Sequence, residues 1–307
     1  MISVKNLSHD YYKYRALQNI DVEFKKHAIT ALVGPNGAGK TTLIKCMVGL
    51  MKPTQGKVFI DDINVYEQPR EAHRKLAYLP DFFGLYDNLT VKQHLQYAAG
   101  CHAMDASLVD EAIQRTIDQI ALGDKLNEKA IALSRGMRQR LAIGQAIISR
   151  PDYLVLDEPA SGLDPEARLS LSKLFLKLRD DGMSLIISSH ILAELEEYAT
   201  ELVVIRDGVL FEDKASSRFD NVEVENVVGL LISCLDDTAG LIASVKAYAP
   251  ELQLQEERRG VRIWFSDDKD KQVALLRYLV EKGHKIFHFE AMEKRMQDKY
   301  FESIENK

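Results

Sequence analysis

Cysteine is scarce in this chain, with Cys46, Cys101 and Cys234 alone in 307 residues. Their scatter offers no metal-ligand spacing, and an odd count does not close into a disulfide framework. They are expected as reduced thiols of a cytosolic protein, with Cys46 a small packing residue. Long hydrophobic runs are missing too. A membrane-spanning helix needs about twenty consecutive apolar residues. The richest stretches here, such as Leu141 to Ile148, are short and flanked by arginine. No basic-then-apolar leader precedes the strand-like run Ile2 to Leu7, so a secretory signal is not expected. Nor is positive charge in excess, the formal net charge being −6. General nucleic-acid binders usually carry a basic stripe, which argues against that class. What remains is an ordinary globular composition, 46 % apolar, with length enough for two domains.

Against that plain background one segment stands out: Gly34-Pro35-Asn36-Gly37-Ala38-Gly39-Lys40-Thr41-Thr42. It follows the apolar run Ile29 to Val33, which reads as a buried strand, and opens into Leu43 to Val48, which reads as a helix. Strand, glycine-rich loop and helix form the context of a phosphate-binding P-loop. Glycines let the backbone curl so that successive N–H groups face an anion at the positive end of the helix. Lys40 is then placed to reach the β- and γ-phosphates of a nucleotide, and the Thr41 hydroxyl to ligate Mg²⁺.

Further pieces follow in order. Tyr153-Leu154-Val155-Leu156-Asp157-Glu158 is an apolar strand ending in two acids. Open α/β sheets bind ligands at the carboxyl ends of their strands. There Asp157 suits Mg²⁺ and Glu158 suits proton transfer from an attacking water, although a solvated acidic turn explains the pair equally well. Ser184 to Ser189 reads as another strand, delivering His190 either to the same edge or to a simple cap. Leu133-Ser134-Arg135-Gly136-Met137 leads into a helical pattern, with Ser134 a natural N-cap. Ser161-Gly162-Leu163-Asp164-Pro165 is a turn ending in an acidic cap with Pro at the first helical position.

Together these motifs resemble the ATP-binding subunit of an ATP-binding cassette (ABC) transporter, of the bacterial drug and antibiotic exporter type. The resemblance spans residues 1–214. It implies an α/β P-loop NTPase cassette: a RecA-like core, an antiparallel β subdomain and a helical subdomain carrying the signature. It further implies two ATPase domains, as homodimer or heterodimer, closing head to tail on two ATPs. By that resemblance Gly34 to Thr42 would bind ATP, and Ser134, Gly136 and Asp164 would meet the nucleotide held by the partner. Thr41 and Asp157 would be Mg²⁺ ligands, Glu158 the general base and His190 the γ-phosphate switch. Tyr11 matches the aromatic that stacks on adenine, with Tyr12 and Tyr14 as rivals.

Three positions depart from the family pattern. Arg135 replaces the first signature glycine, and Met137 replaces its glutamine. Asp81 stands where a glutamine commonly meets Mg²⁺, and it is either a metal ligand or a loop acid. The family implies a separately encoded membrane permease as partner, no nucleic acid, and a cytoplasmic location on the inner membrane face through that permease. The aromatics between Phe82 and Thr90 are expected either to receive the permease or to pack into the helical subdomain. The rivals are a soluble ABC ATPase working on ribosomes or DNA, and a regulatory subunit with weak turnover.

Elsewhere the pattern is structural. Asp110 to Ala121 places Ile113, Ile117 and Ile120 on one helical face. Residues 215–307 carry no nucleotide motif and read as an accessory α+β domain, βαββαβ plus a helix, of ferredoxin-like type. There Val273, Leu276 and Val280 are expected inward on a helix from Asp270 to Lys282. Asp267 to Asp270 is expected as a solvated loop, Trp264 as core, and Met292 to Ile304 as a last helix.

Overall fold

The apolar run at residues 29–33 becomes β3 (Ile29–Val33), with every residue buried, as a central parallel strand requires. In this computed structural model, residues 1–191, 195–211, 227–235, 237–250, 252, 254–257, 260–266 and 268–292 are described. The chain divides into two compact units, Met1–Asp213 and Lys214–Lys307.

In the first unit β3 lies between β8 (Ser184–Ser189) and β9 (Glu201–Arg206), parallel to both. Beyond β8 come β7 (Tyr153–Leu156) and β6 (Leu76–Leu79), also parallel. Beyond β9 lies the short antiparallel β10 (Val209–Phe211). A parallel sheet delivers all its strand ends to one edge, so the residues following β3, β6, β7 and β8 gather there. A second, antiparallel sheet contains β1 (Ile2–Tyr11), β2 (Tyr14–Phe24), β4 (Gln55–Ile60) and β5 (Ile63–Asn64), in the order β2-β1-β4-β5.

Helix α1 (Lys40–Met47) follows the glycine-rich loop and packs against β2 and β4. Its Leu43, Ile44, Cys46 and Met47 join Ile2, Val4, Leu7 and Phe24 in one hydrophobic cluster. Burial pushes the Cys46 thiol up to about 12, so it behaves as an apolar group. After α2 (Pro69–Lys75), the helical region holds α3 (Val91–Cys101), α4 (Ala106–Ile120) and α5 (Arg135–Ile147). Thr90 and Gln93 close a capping box on α3. On α4, Ile113, Ile117 and Ile120 are all buried, the face their spacing predicts. Helix α6 (Pro165–Asp180) then packs beside α5 and returns the chain to β8.

The second unit is ordered β11 (Val227–Cys234), α7 (Thr238–Tyr248), β12 (Leu254–Glu257), β13 (Gly260–Ser266), α8 (Lys269–Glu281) and β14 (Ile286–Met292). Its antiparallel sheet runs β12-β13-β11-β14, and its core holds Leu230, Ile232, Leu241, Val261, Leu275 and Leu279. The expected inward stripe of α8 is corrected here. Gln272, Leu275 and Leu279 face the core, whereas Val273 and Val280 are each 54 % exposed. Both stripes have the same i, i+3, i+7 spacing, and Leu276 of the expected one is half-buried at the edge of the core-facing side. The acidic run is corrected as well: Asp268 caps α8 by accepting from the Asp270 N–H at 2.9 Å, and Lys269 and Asp270 are helical. The helix expected from Met292 to Ile304 and the Trp264 side chain lie outside the described residues.

Candidate functional site

At two glycines of the loop between β3 and α1 the surroundings lie so close that a side chain would not fit. A Cβ at Gly34 would lie 2.1 Å from the Ile205 carbonyl oxygen. Gly39 has φ +108°, where a Cβ would meet Ala16 and Leu17 at 3.0 and 2.9 Å. No side chain caps α1, so its first N–H groups stay free for an anion. Lys40 is buried, and its Nζ donates to the carbonyls of Gly34 at 2.7 Å and Pro35 at 3.3 Å. The same ammonium faces Glu158 Oε1 at 3.4 Å.

At the end of β7 the two acids are held differently. Asp157 is 2 % exposed, and its Oδ1 accepts from Ser188 Oγ at 2.6 Å. That serine oxygen in turn accepts from the Glu158 N–H at 2.9 Å, so one residue of β8 sets both acids. Glu158 has φ +49°. Such a conformation costs a non-glycine residue about 1–3 kcal/mol and persists only where its neighbours over-determine it. Among those neighbours are Ser188 on its N–H, Lys40 on one carboxylate oxygen and His190 Nδ1 on the other, at 2.7 Å. Asp81, just past β6, faces the same group. Burial, then the negative charges of Asp157 and Glu158, push its carboxyl above the ordinary range, against the opposing charges of Arg135 and His190.

A cavity of about 390 Å³ opens over these residues. It is lined by Pro35 to Thr42, by Asp81, Glu158, Ser161 and His190, and by Tyr11 and Tyr14. Tyr12 is fully exposed and outside it. Asp157 lies buried outside the lining, and Ser134, Gly136 and Asp164 do not line it.

Comparison with known proteins returns one family from every direction. A family model described as "ABC transporter" matches residues 17–161. The SkfA peptide export ATP-binding protein SkfE of Bacillus subtilis (strain 168) is 34 % identical over 225 residues, covering 72 % of this chain and 91 % of SkfE. This chain belongs to the ABC transporter ATP-binding subunits. Another such protein of the same bacterium, the uncharacterized YhcH, is 28 % identical over 306 residues, covering 98 % of this chain and 95 % of its own. A solved ATP-binding subunit of an ABC transporter superposes with TM-score 0.62 at 30 % identity, covering 69 % of this chain and 88 % of that one. ATP binding, ATP hydrolysis and work with a membrane permease are properties of this family. Among the described residues no helix is long and apolar enough to cross a membrane.

For an ABC subunit the signature lies where α5 starts. Ser134 Oγ accepts from the Met137 N–H at 3.3 Å, capping the helix. Gly136 is pressed against α6, since a Cβ there would lie 2.7 Å from Ala167 Cβ. Asp164 caps α6 by accepting from the Ala167 N–H at 2.8 Å. Two helix N-termini thus lie side by side. Arg135 reaches from the first of them to the Ser161 carbonyl, donating at 3.0 Å. Sequence reasoning missed Ser188 and Ser161 as site residues. A hydroxyl residue inside an apolar strand, two positions before His190, was the available signal for Ser188.

Proposed function

We propose that this chain is the Mg²⁺-dependent ATPase of an exporter. The observation that carries it is the interlock of Lys40, Glu158 and His190, all three lining the cavity. In this reading the loop N–H groups from Gly34 to Thr42 cradle the phosphates. Lys40 exchanges its carbonyl partners for phosphate oxygens. Glu158 takes the proton of the attacking water, with His190 orienting it and reporting the γ-phosphate. Tyr11 stacks on adenine. Ser134, Gly136 and Asp164 serve the ATP of the opposing subunit, whether a second copy or another ABC ATPase. Residues 1–214 act as the cassette and 215–307 as an accessory domain.

The residues present fit Mg²⁺. Asp157 is a buried carboxylate whose hydrogen-bond partner is a neutral hydroxyl, and a cation would compensate it. Among the described residues there is no closed cage of His, Cys, Asp and Glu. Mg²⁺ usually takes one or two protein carboxylates together with phosphate and water. Thr41 and Asp157 would hold it, with Asp81 beside them. The ion would neutralise phosphate charge.

The exposed Phe82, Tyr86 and Tyr97 offer an apolar landing surface for a permease helix at the cytoplasmic membrane face. Export is favoured because SkfE is named for peptide export; SrtF of Streptococcus pyogenes is named for lantibiotic transport. The test is steady-state Mg-ATPase activity of the purified chain beside Lys40→Ala and Glu158→Gln. Loss of a general base typically costs roughly 10²–10⁴-fold, and both variants should fall at least that far. Wild-type binding of ATP without turnover would instead favour a regulatory subunit, a reading that the acid at Asp81 keeps open.

A further inference from the structure

Arg135 stands where the resembled signature has its first glycine, and its side chain makes contacts within its own chain. Its guanidinium donates from Nη2 to the Ser161 carbonyl at 3.0 Å. It lies flat over Gly162, where an added Cβ would sit 2.6 to 2.8 Å from Nη2, Nη1 and Cζ. Gly162 is therefore doubly constrained, by its φ of +66° and by the arginine above it.

The turn that receives this contact begins with Glu158. It has positive φ at Glu158 and again at Gly162, +49° and +66°. Inside, it is closed by the Ser161 N–H donating to the Glu158 carbonyl at 3.1 Å, and the Leu163 N–H donating to Ala160 at 3.3 Å. Outside, Arg168 Nε holds the Leu163 carbonyl at 3.0 Å from α6, and Arg135 holds the Ser161 carbonyl from α5. Ser161 itself lines the nucleotide cavity.

A cation at the first position of a helix opposes the helix dipole. Arg135 stands there, beside the N-terminus of α6 as well, and the Ser161 carbonyl together with the charge of Asp81 offsets it. The geometry points to Arg135 as a positioning residue: it ties the signature helix to the Glu158–Gly162 turn and holds Glu158 in its strained backbone conformation. A glycine at this position has no side chain with which to make the tie. The consequence for turnover rests on the ATPase reading above, whereas the tie itself does not.

The test uses the full chain without nucleotide. Hydrogen–deuterium exchange is followed at the amides of residues 158–163 for wild type, Arg135→Met and Arg135→Lys. Arg135→Met keeps the stem and loses the donors. It should speed exchange in that turn about tenfold, the scale of one lost hydrogen bond to a charged donor, and leave β3 and β7 unchanged. Arg135→Lys should restore most of the protection. With ATP, Arg135→Met should lower kcat roughly ten- to hundredfold while KM stays within about twofold, and Lys should recover most of it. If Arg135→Met does not fold, Gly162→Ala displaces the guanidinium from the other side and should raise exchange in the same turn.

Unchanged exchange at 158–163 overturns the tie, as does a rise spread through the whole unit. A raised KM with unchanged kcat overturns positioning in favour of nucleotide contact. A wild type without turnover fails the ATPase reading, and the exchange result still decides the tie.

Discussion

Both units pack helices on sheets, two sheets in the first and one in the second, but they bury different things. In the second unit the core is apolar, and Gln272 is the polar residue buried there among the described residues. In the first, Lys40, Asp157, Ser188 and Ser189 are buried together where the parallel strands end. An uncompensated charge in an interior is costly, so buried ionisable groups need partners already in place. Here Lys40 has two carbonyls and Glu158, and Asp157 has Ser188. A chain meets such costs at a site of chemistry. Where it needs a core alone, leucine serves.

That contrast makes its strongest prediction in the second unit. Leu275→Ala should lower the stability of that unit by about 2–5 kcal/mol, as large-to-small changes do in a packed core. Val273→Ala, two residues earlier and exposed, should change it by under about 0.5 kcal/mol. Chemical denaturation of the two variants reads the difference. Equal losses would mean that the outer valine stripe is covered by something, and the unit would no longer be a plain one-sided packing problem.

The α8 result also marks where sequence legibility ends. The P-loop, the acids after β7 and the capped turns at Ser134 and Asp164 were readable because their chemistry is local: a glycine, a cap and a charge act within a few residues. The choice between the stripes 272/275/279 and 273/276/280 was not readable. Both have helical spacing, and the decision lies with the shape of Leu230, Ile232 and Val261 across the sheet. Ser188 was missed for a related reason. Its importance comes from Asp157 and Glu158, 31 and 30 residues away, which only the sheet register brings to it. Arg135 was legible as an oddity, but its partner Ser161 was not.

A second prediction probes a charge cluster of the first unit that is away from the nucleotide cavity. Asp61 accepts from Lys75 Nζ at 2.6 Å and Tyr153 OH at 2.8 Å, and pairs with Lys26 at 2.8 Å. Burial alone would raise its carboxyl, but the hydrogen bonds of Lys26, Lys75, the Met1 ammonium and Tyr153 outweigh burial and hold it far below the usual range. A depressed carboxylate contributes stability that is complete above its unfolded value of about 3.9 and is lost as pH falls toward the lower folded value. Asp61→Asn should therefore cost about 2 kcal/mol at pH 7, and the two stability curves should converge as the pH falls below 4. A constant gap at all pH would assign the cost to packing, and the cluster would join the second unit in kind.

The smallest expected effect concerns the rim of the cavity, where three tyrosines compete for one role. Tyr11 and Tyr14 line the cavity, and Tyr12 does not. Tyr11 is also the better fixed of the two. Its hydroxyl meets Met51 Sδ at 3.1 Å and its ring makes an edge contact with His9 at 4.8 Å between centroids. It is 40 % exposed against 60 % for Tyr14. A ring already held loses less freedom on stacking, so its contact with a base contributes more net affinity. Removing it should weaken ATP binding by about 1 kcal/mol, roughly fivefold in Kd. Tyr14→Ala should do less, and Tyr12→Ala nothing that titration of a fluorescent ATP analogue detects. A larger loss at Tyr14 would assign the adenine contact to Tyr14 and leave Tyr11 as packing for Met51. An equal loss at Tyr12 would mean that the rim closes on the base when nucleotide binds, so that the open cavity is not the one that sets affinity.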